Sequence, residues 1–144
     1  MARTPIVAGN WKMHLGRTPA HELLTALRDS LAGIEGIDMA VCPPAPWIAD
    51  AADVLRGTRI GVGAQNVFWL REGAYTGEVS APMLRAIGCE WVIVGHSERR
   101  QYFGETNETV WKRTKAALES GLRPIVCVGE RLDRKSTRLN SSHT

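Results

Sequence analysis

Five short apolar segments recur along the chain at nearly regular intervals, each followed by glycine, proline or polar residues. They begin close to Pro5, Ile37, Ile60, Trp91 and Arg123. Short apolar runs rich in β-branched residues and bounded by such breakers are typical of buried strands. A closed barrel of roughly 250 residues, built from eight strand–helix units, needs about 31 residues per unit. Three of the four intervals match that length, and the one from Ile37 to Ile60 is shorter. The spacing therefore predicts five units of such a barrel, with barrel-facing side chains expected at Ile6, Val41, Val62, Val92 or Ile93, and Val126.

Helical patterns lie between these strands. Thr18 is expected to cap the first helix, with Pro19 in its first turn. Its apolar stripe comprises Leu23, Leu24, Leu27 and Leu31. A second helix is expected to open at Thr106 and to end at Gly121. Its basic side chains are expected to face solvent: Lys112, Arg113 and Lys115. Strands alternating with helices predict an α/β fold with a parallel sheet and right-handed crossovers.

Polar side chains follow two of the predicted strands directly. Asn10 and Lys12 end the first, and the run Gly95-His96-Ser97-Glu98 ends the fourth. The carboxyl ends of parallel strands carry the chemistry in such folds. Lysine offers a compact positive charge for a phosphate or an oxyanion, asparagine orients an oxygen, and histidine exchanges protons near neutral pH. One alternative is that Asn10 and Lys12 are ordinary polar residues at the protein surface. The other is that His96 is a loop histidine within a run of solvated charged residues.

Two of these segments, residues 7–13 and 92–100, resemble the signature segments of the triosephosphate isomerase family. Residues 63–66, 73–78 and 127–130 are similar to that family's third strand end, long third loop and fifth strand end. The similarity runs in order along the chain. It implies a (β/α)8 barrel of which residues 1–133 supply about five units.

The resemblance also implies roles for individual residues. His96 would be a neutral electrophile, Lys12 would offset negative charge, and Asn10 would orient the substrate, a phosphorylated triose; the family is itself a standard example of a glutamate base acting with a neutral histidine. Supporting positions would be Trp11, Ser97, Glu98 and Cys127. The tip of the third loop, Tyr75 and Thr76, would contact a second subunit of a homodimer. No metal or organic cofactor is implied.

The family's glutamate base lies after the sixth strand, and no segment of this chain resembles it. We therefore expect the chain to be inactive alone, as an amino-terminal portion of the enzyme. A half-barrel that binds a phosphorylated metabolite without turnover, and one that complements a partner carrying the remaining units, are the alternatives.

Residues 134–144 have one large apolar residue and no periodicity, which predicts a tail foreign to the family; a genuine basic tail that binds nucleic acid is the alternative. The tail holds three basic residues, whereas residues 1–133 carry 15 charges of each sign. The chain's net charge of +3 therefore gives no reason to expect nucleic-acid or membrane binding. Three cysteines without paired spacing and the lack of an export signal favour the cytoplasm.

Overall fold

A computed structural model of the protein describes residues 2–129. The predicted domain boundary after Asp133 and the predicted tail at residues 134–144 lie outside these residues, so both stay predictions.

The described residues form one parallel sheet of five strands in the sequential order β1-β2-β3-β4-β5. The strands are β1 Ile6–Asn10, β2 Asp38–Cys42, β3 Ile60–Ala64, β4 Cys89–Val94 and β5 Arg123–Val126. All four pairings are parallel and join strands that are neighbours in sequence. This topology is that of a curled half-barrel, so the predicted fold class and the five strands are confirmed.

Helices connect the strands. They are α1 Arg17–Leu31, α2 Ile48–Val54, α3 Ala81–Ala86, α4 Ser97–Tyr102 and α5 Asn107–Glu119, with a 3₁₀ turn at Ala45–Trp47. The predicted start of α1 is wrong, because Gly16 is its N-cap residue and Thr18 lies inside the helix. Helix α5 begins as predicted after Thr106. The Thr106 hydroxyl accepts a hydrogen bond from the Thr109 backbone N–H, and the Thr109 hydroxyl accepts one from the Thr106 backbone N–H, which together form a capping box.

The predicted outward direction of Arg113 on α5 is also wrong. The side chain of Arg113 is only 7% exposed and contacts the segment that follows β3. There it donates hydrogen bonds to Asn66 and Val67 and lies 3.5 Å from a carboxylate oxygen of Glu105. Two hydrogen bonds from Nη1 and the nearby carboxylate of Glu105 compensate for the burial of this arginine, whose Nε has no hydrogen-bond partner.

The main hydrophobic core lies between the sheet and the helices. Val41, Val62 and Val92 are buried in it with Leu24 of α1 and Leu84 of α3. These three valines therefore face the helices, whereas the sequence pattern favoured the barrel interior for Val41 and Val62. In β4, where the pattern left Val92 and Ile93 as alternatives, Val92 lies in the core and Ile93 on the opposite face. Strands of a parallel sheet are apolar on both faces, so periodicity alone does not identify the inner face.

The concave face of the sheet carries a different set of side chains. The Arg123 guanidinium stacks 3.9 Å from the ring centroid of Trp91 and forms an ion pair at 3.0 Å with Asp38. Gly63 is required beside this tryptophan, since a Cβ there would lie 3.1 Å from the Trp91 Cβ and 2.6 Å from the Cys42 Sγ. Glycine in β3 thus lets large side chains from β4 pack across the concave face.

Within residues 2–129, none of the helices combines the length and the apolar character that a membrane span requires.

Candidate functional site

The predicted polar residues meet at the carboxyl edge of the sheet. A cavity of about 340 Å³ there is lined by Asn10, Lys12, His96 and Glu98, together with Ile93 from the concave face of β4. Its volume lies within the range of about 300–1,000 Å³ that is common for small-molecule sites. The ends of β1 and β4, which are distant in sequence, therefore contribute to one site.

Asn10 and Lys12 are joined by a tight turn at the end of β1. The backbone N–H of Lys12 donates to Asn10 Oδ1 at 2.9 Å, and Lys12 has a φ of 55°. Both side chains line the cavity, as the sequence suggested. The strand ends at Asn10, and the left-handed backbone of Lys12 directs its side chain to the same cavity.

Lys12 and Glu98 form an ion pair across the site, with Lys12 Nζ 2.8 Å from Glu98 Oε1. The hydrogen bond from Lys12 holds the pKa of Glu98 below its usual value of 4.5, with smaller contributions from nearby positive charge and an opposing effect of desolvation. Glu98 is therefore a carboxylate at neutral pH. It serves as the partner that places the ammonium group beside the cavity.

His96 occupies the N-cap position of α4, directly after Gly95, whose φ of 71° turns the chain out of β4. A side chain at Gly95 would also collide with Val110, because its Cβ would lie 2.9 Å from both methyl carbons. The Nδ1 atom of His96 accepts a hydrogen bond from the Glu98 backbone N–H at 3.1 Å. An imidazole that accepts at Nδ1 is neutral and carries its proton on Nε2. His96 thus presents an N–H donor at the cavity.

Three residues expected to support the site do not line the cavity. The Trp11 backbone N–H donates to the Cys42 carbonyl at 3.1 Å, and its ring packs against the core. Ser97 is exposed as the first residue of α4. Cys127 follows the end of β5 and donates its backbone N–H to the Val94 carbonyl at 2.9 Å; desolvation raises the pKa of its thiol.

The third loop, residues 65–80, is anchored at its base and exposed at its tip. The Phe68 backbone N–H donates to the Val79 carbonyl at 2.8 Å. Tyr75 and Thr76 are exposed at the tip, and the ring centroids of Tyr75 and Phe68 lie 4.5 Å apart. On the side facing the site, Glu78 lines the cavity. The tip of the loop is therefore exposed, and Glu78 near its carboxyl-terminal end faces the site.

Gln65 is a site residue that the sequence reasoning did not single out. Its Nε2 atom donates to the carbonyls of Lys12 and Cys42, both at 2.8 Å. In the sequence, residues 63–66 stand out only by their resemblance to the family. The position of Gln65 at the end of β3, equivalent to those of Asn10 and His96 in their strands, was the signal that could have identified it.

In the described part of the chain, no three His, Cys, Asp or Glu side chains converge to hold a metal ion.

Comparisons of the chain with known proteins all match the same family. The family model described as "Triosephosphate isomerase" matches residues 5–143, a range that extends past the predicted boundary at Asp133. The triosephosphate isomerase of Solibacter usitatus is 56% identical over 139 residues, covering 94% of this chain and 55% of the relative. That of Moorella thermoacetica is 56% identical over 130 residues, covering 90% and 52% respectively.

A solved structure agrees with these matches. The crystal structure of triosephosphate isomerase from Bartonella henselae superimposes with a TM-score of 0.88 at 36% identity, covering 94% of this chain and 56% of that one. The chain thus spans about half the length of the relatives it matches. Since the family model covers nearly all of its residues, the chain belongs to the triosephosphate isomerase family.

Proposed function

We propose that this chain supplies the electrophilic half of a site that interconverts D-glyceraldehyde 3-phosphate and dihydroxyacetone phosphate through an enediolate. The observation that carries the proposal is the pairing of a neutral His96 with a Lys12 ammonium held at the same cavity by Glu98. Moving a proton between adjacent carbons requires stabilisation of the negative charge that develops on the oxygens. A donor and a cation already in place provide it without reorganisation.

Each residue then has a distinct role. The Nε2–H of His96 polarises the substrate carbonyl and passes protons between the two oxygens. Lys12 offsets the charge of the phosphate and the enediolate, and the Asn10 amide orients a substrate oxygen. None of these steps requires a metal ion or an organic cofactor.

We infer that neither carboxylate lining the cavity within residues 2–129 serves as the general base of the reaction. Glu78 and Glu98 are the carboxylates that line the cavity within residues 2–129. Glu98 is bound to Lys12 at 2.8 Å, and Glu78 lies 3.8 Å from Arg113. We therefore infer that the 144-residue chain alone does not turn over substrate, because proton abstraction from carbon needs a free, positioned carboxylate.

Complementation is the second candidate function, and the exposed edge of β1 favours it. Every residue of β1 is exposed, and β1 pairs only with β2 among the described strands. A partner that carries further strand–helix units could pair with this edge and supply the base. A half-barrel that only binds a phosphorylated metabolite is the remaining possibility, since the cation and the donor are present without the base.

We also propose a partner and a compartment. Exposed apolar residues surround the site, among them Met13 at 92% and Phe103 at 65% exposure, next to the exposed loop tip at Tyr75 and Thr76. Such a surface suits association with a second copy of the family's subunit. The three free thiols, Cys42, Cys89 and Cys127, suit a reducing compartment, which we take to be the cytoplasm.

A mixing experiment tests this function. The purified chain is assayed for triose phosphate interconversion alone and after mixing with the carboxyl-terminal portion of the Solibacter usitatus relative. We expect turnover only in the mixture, lost with His96→Gln and kept with the matched control His21→Gln, which alters an exposed histidine on α1. Turnover by the chain alone would contradict the inference that it lacks the general base. Saturable binding of the triose phosphate without turnover in the mixture would favour the binding module.

A further inference from the structure

Two residues other than glycine have a left-handed backbone within residues 2–129, and both lie in the loop that follows β1. They are Lys12, with a φ of 55°, and Leu15, with a φ of 77°. This conformation brings the Cβ of an L-residue close to the carbonyl oxygen and is unfavourable for a leucine, which has no polar side chain to bond locally. Contacts elsewhere in the protein must therefore hold residues 12–15 in place.

Each of these two residues has its carbonyl bound by a side chain from another strand end. Gln65, after β3, donates from Nε2 to the Lys12 carbonyl at 2.8 Å. Trp47, in the 3₁₀ turn after β2, donates from its indole Nε1 to the Leu15 carbonyl at 3.1 Å. The donors are 53 and 32 residues away in sequence, so both bonds tie the loop to the neighbouring strands.

The conformation of this loop determines where the Lys12 ammonium lies. Lys12 reaches Glu98 at 2.8 Å from a backbone whose φ directs the side chain toward the cavity. A return of Lys12 to a right-handed or extended backbone would redirect its Cα–Cβ bond and break the ion pair. The site thus depends on a local conformation that the residues of the loop do not favour by themselves.

We propose that Trp47 and Gln65 form a two-point clamp on residues 12–15, and that Trp47 is a positioning residue for Lys12 although it does not line the cavity. The value of the clamp for catalysis rests on the proposed function. The effect of the clamp on the position of Lys12 does not depend on that function, and this effect can be measured without substrate.

The test reads the exposure of the Lys12 amine by trace acetylation of the full chain and mass spectrometry, with Lys112 as the internal reference. Trp47→Phe keeps an aromatic ring and removes the N–H donor. We expect it to increase relative acetylation of Lys12 about three- to tenfold, the effect of losing one hydrogen bond. The matched control is Trp111→Phe, which alters an exposed tryptophan on α5 and should leave Lys12 unchanged.

Relief of strain separates a positioning role from general loosening of the fold. Glycine adopts a left-handed backbone without the steric cost that leucine bears, so Leu15→Gly should return the Trp47→Phe variant most of the way to the parent reactivity. Leu15→Gly alone should lower Lys12 acetylation about threefold, and it tests the clamp even if Trp47→Phe does not fold. Equal reactivity of Lys12 in the two tryptophan variants, or no effect of Leu15→Gly in either background, would overturn the proposal. Neither result bears on turnover, which alone decides the proposed function.

Discussion

Arg113 Nη1 donates a hydrogen bond to the Val67 carbonyl at 2.6 Å, so a side chain of α5 anchors the beginning of the third loop. The same guanidinium donates to Asn66 Oδ1 at 2.9 Å and lies 3.5 Å from Glu105, which in turn is paired with Arg99. Desolvation lowers the pKa of Arg113, and the neighbouring carboxylate of Glu105 opposes this effect. The buried charged residues Arg113 and Glu105 therefore anchor the beginning of the third loop, whose tip is exposed.

We expect Arg113→Met to destabilise the protein by about 3 kcal/mol, because it leaves the Val67 carbonyl and the Asn66 amide oxygen unpaired and removes one partner of the buried Glu105. The measurement is the midpoint of urea unfolding. Lys112→Met is the matched control, since Lys112 is adjacent on α5 and pairs with the exposed Glu108 at 3.6 Å. Equal shifts of the midpoint in the two variants would show that the buried cluster contributes no more than a surface pair.

The ion pair between Lys12 and Glu98 should persist in mild acid. The pKa of Glu98 in the folded protein is lowered below 4.5, chiefly by the hydrogen bond from Lys12. A depressed pKa means that the folded protein binds fewer protons than the unfolded chain in this range. The stabilisation is therefore fully present above about pH 4.5 and is lost as the pH falls through the folded-state pKa.

Carbon-13 NMR titration of the Glu98 carboxyl group measures this directly. Lys12→Met should raise the pKa of Glu98, since it removes the first cause of the shift. Lys115→Met, which removes the partner of Glu119 on α5, should leave the Glu98 titration unchanged. A Glu98 titration that does not respond to Lys12→Met would contradict the ion pair.

The three cysteines should differ in reactivity. Burial raises the pKa of Cys42 and of Cys89 to about 12 each, so the thiolate fraction at pH 7 is on the order of 10⁻⁵. Cys127 is only partly buried, and nearby Arg100 opposes the rise of its pKa. Alkylation at pH 7 followed by mass spectrometry should modify Cys127 first and the other two only in urea. Native alkylation of Cys42 at the rate of Cys127 would contradict its burial.

The strands and the positions of the site residues could both be predicted from the sequence. The site residues could be placed for one physical reason. Parallel strands bring their carboxyl ends to one edge, so polar residues placed directly after buried strands converge there. Asn10, Lys12 and His96 satisfy this rule and line one cavity. Their placement needed no knowledge of contacts between distant residues.

Other features depend on contacts that no local pattern encodes. Arg113 lies on an amphipathic helix among basic residues that face solvent, and its partners Asn66 and Val67 are 47 and 46 residues away. The sequence places Gln65 at the end of β3, but its two hydrogen bonds, to the carbonyls of Lys12 and Cys42, are visible only in the structure. The direction of Val41 was misread because both faces of a strand in a parallel sheet are apolar, so alternation carries no information about which face is inside.

The last prediction concerns the edges of the sheet. In a closed barrel the first strand is paired on both sides, whereas here every residue of β1 is exposed and Val7 is 62% exposed. An unpaired strand edge next to exposed apolar side chains is a template for pairing with another chain. We therefore expect the full chain to sediment as oligomers at micromolar concentration. Val7→Lys should shift it toward the monomer, because a charge on an edge strand opposes pairing, whereas Leu118→Lys on α5, an equally exposed position at 61%, should not. A parent chain that sediments as a monomer, or equal effects of the two substitutions, would show that the β1 edge does not drive association.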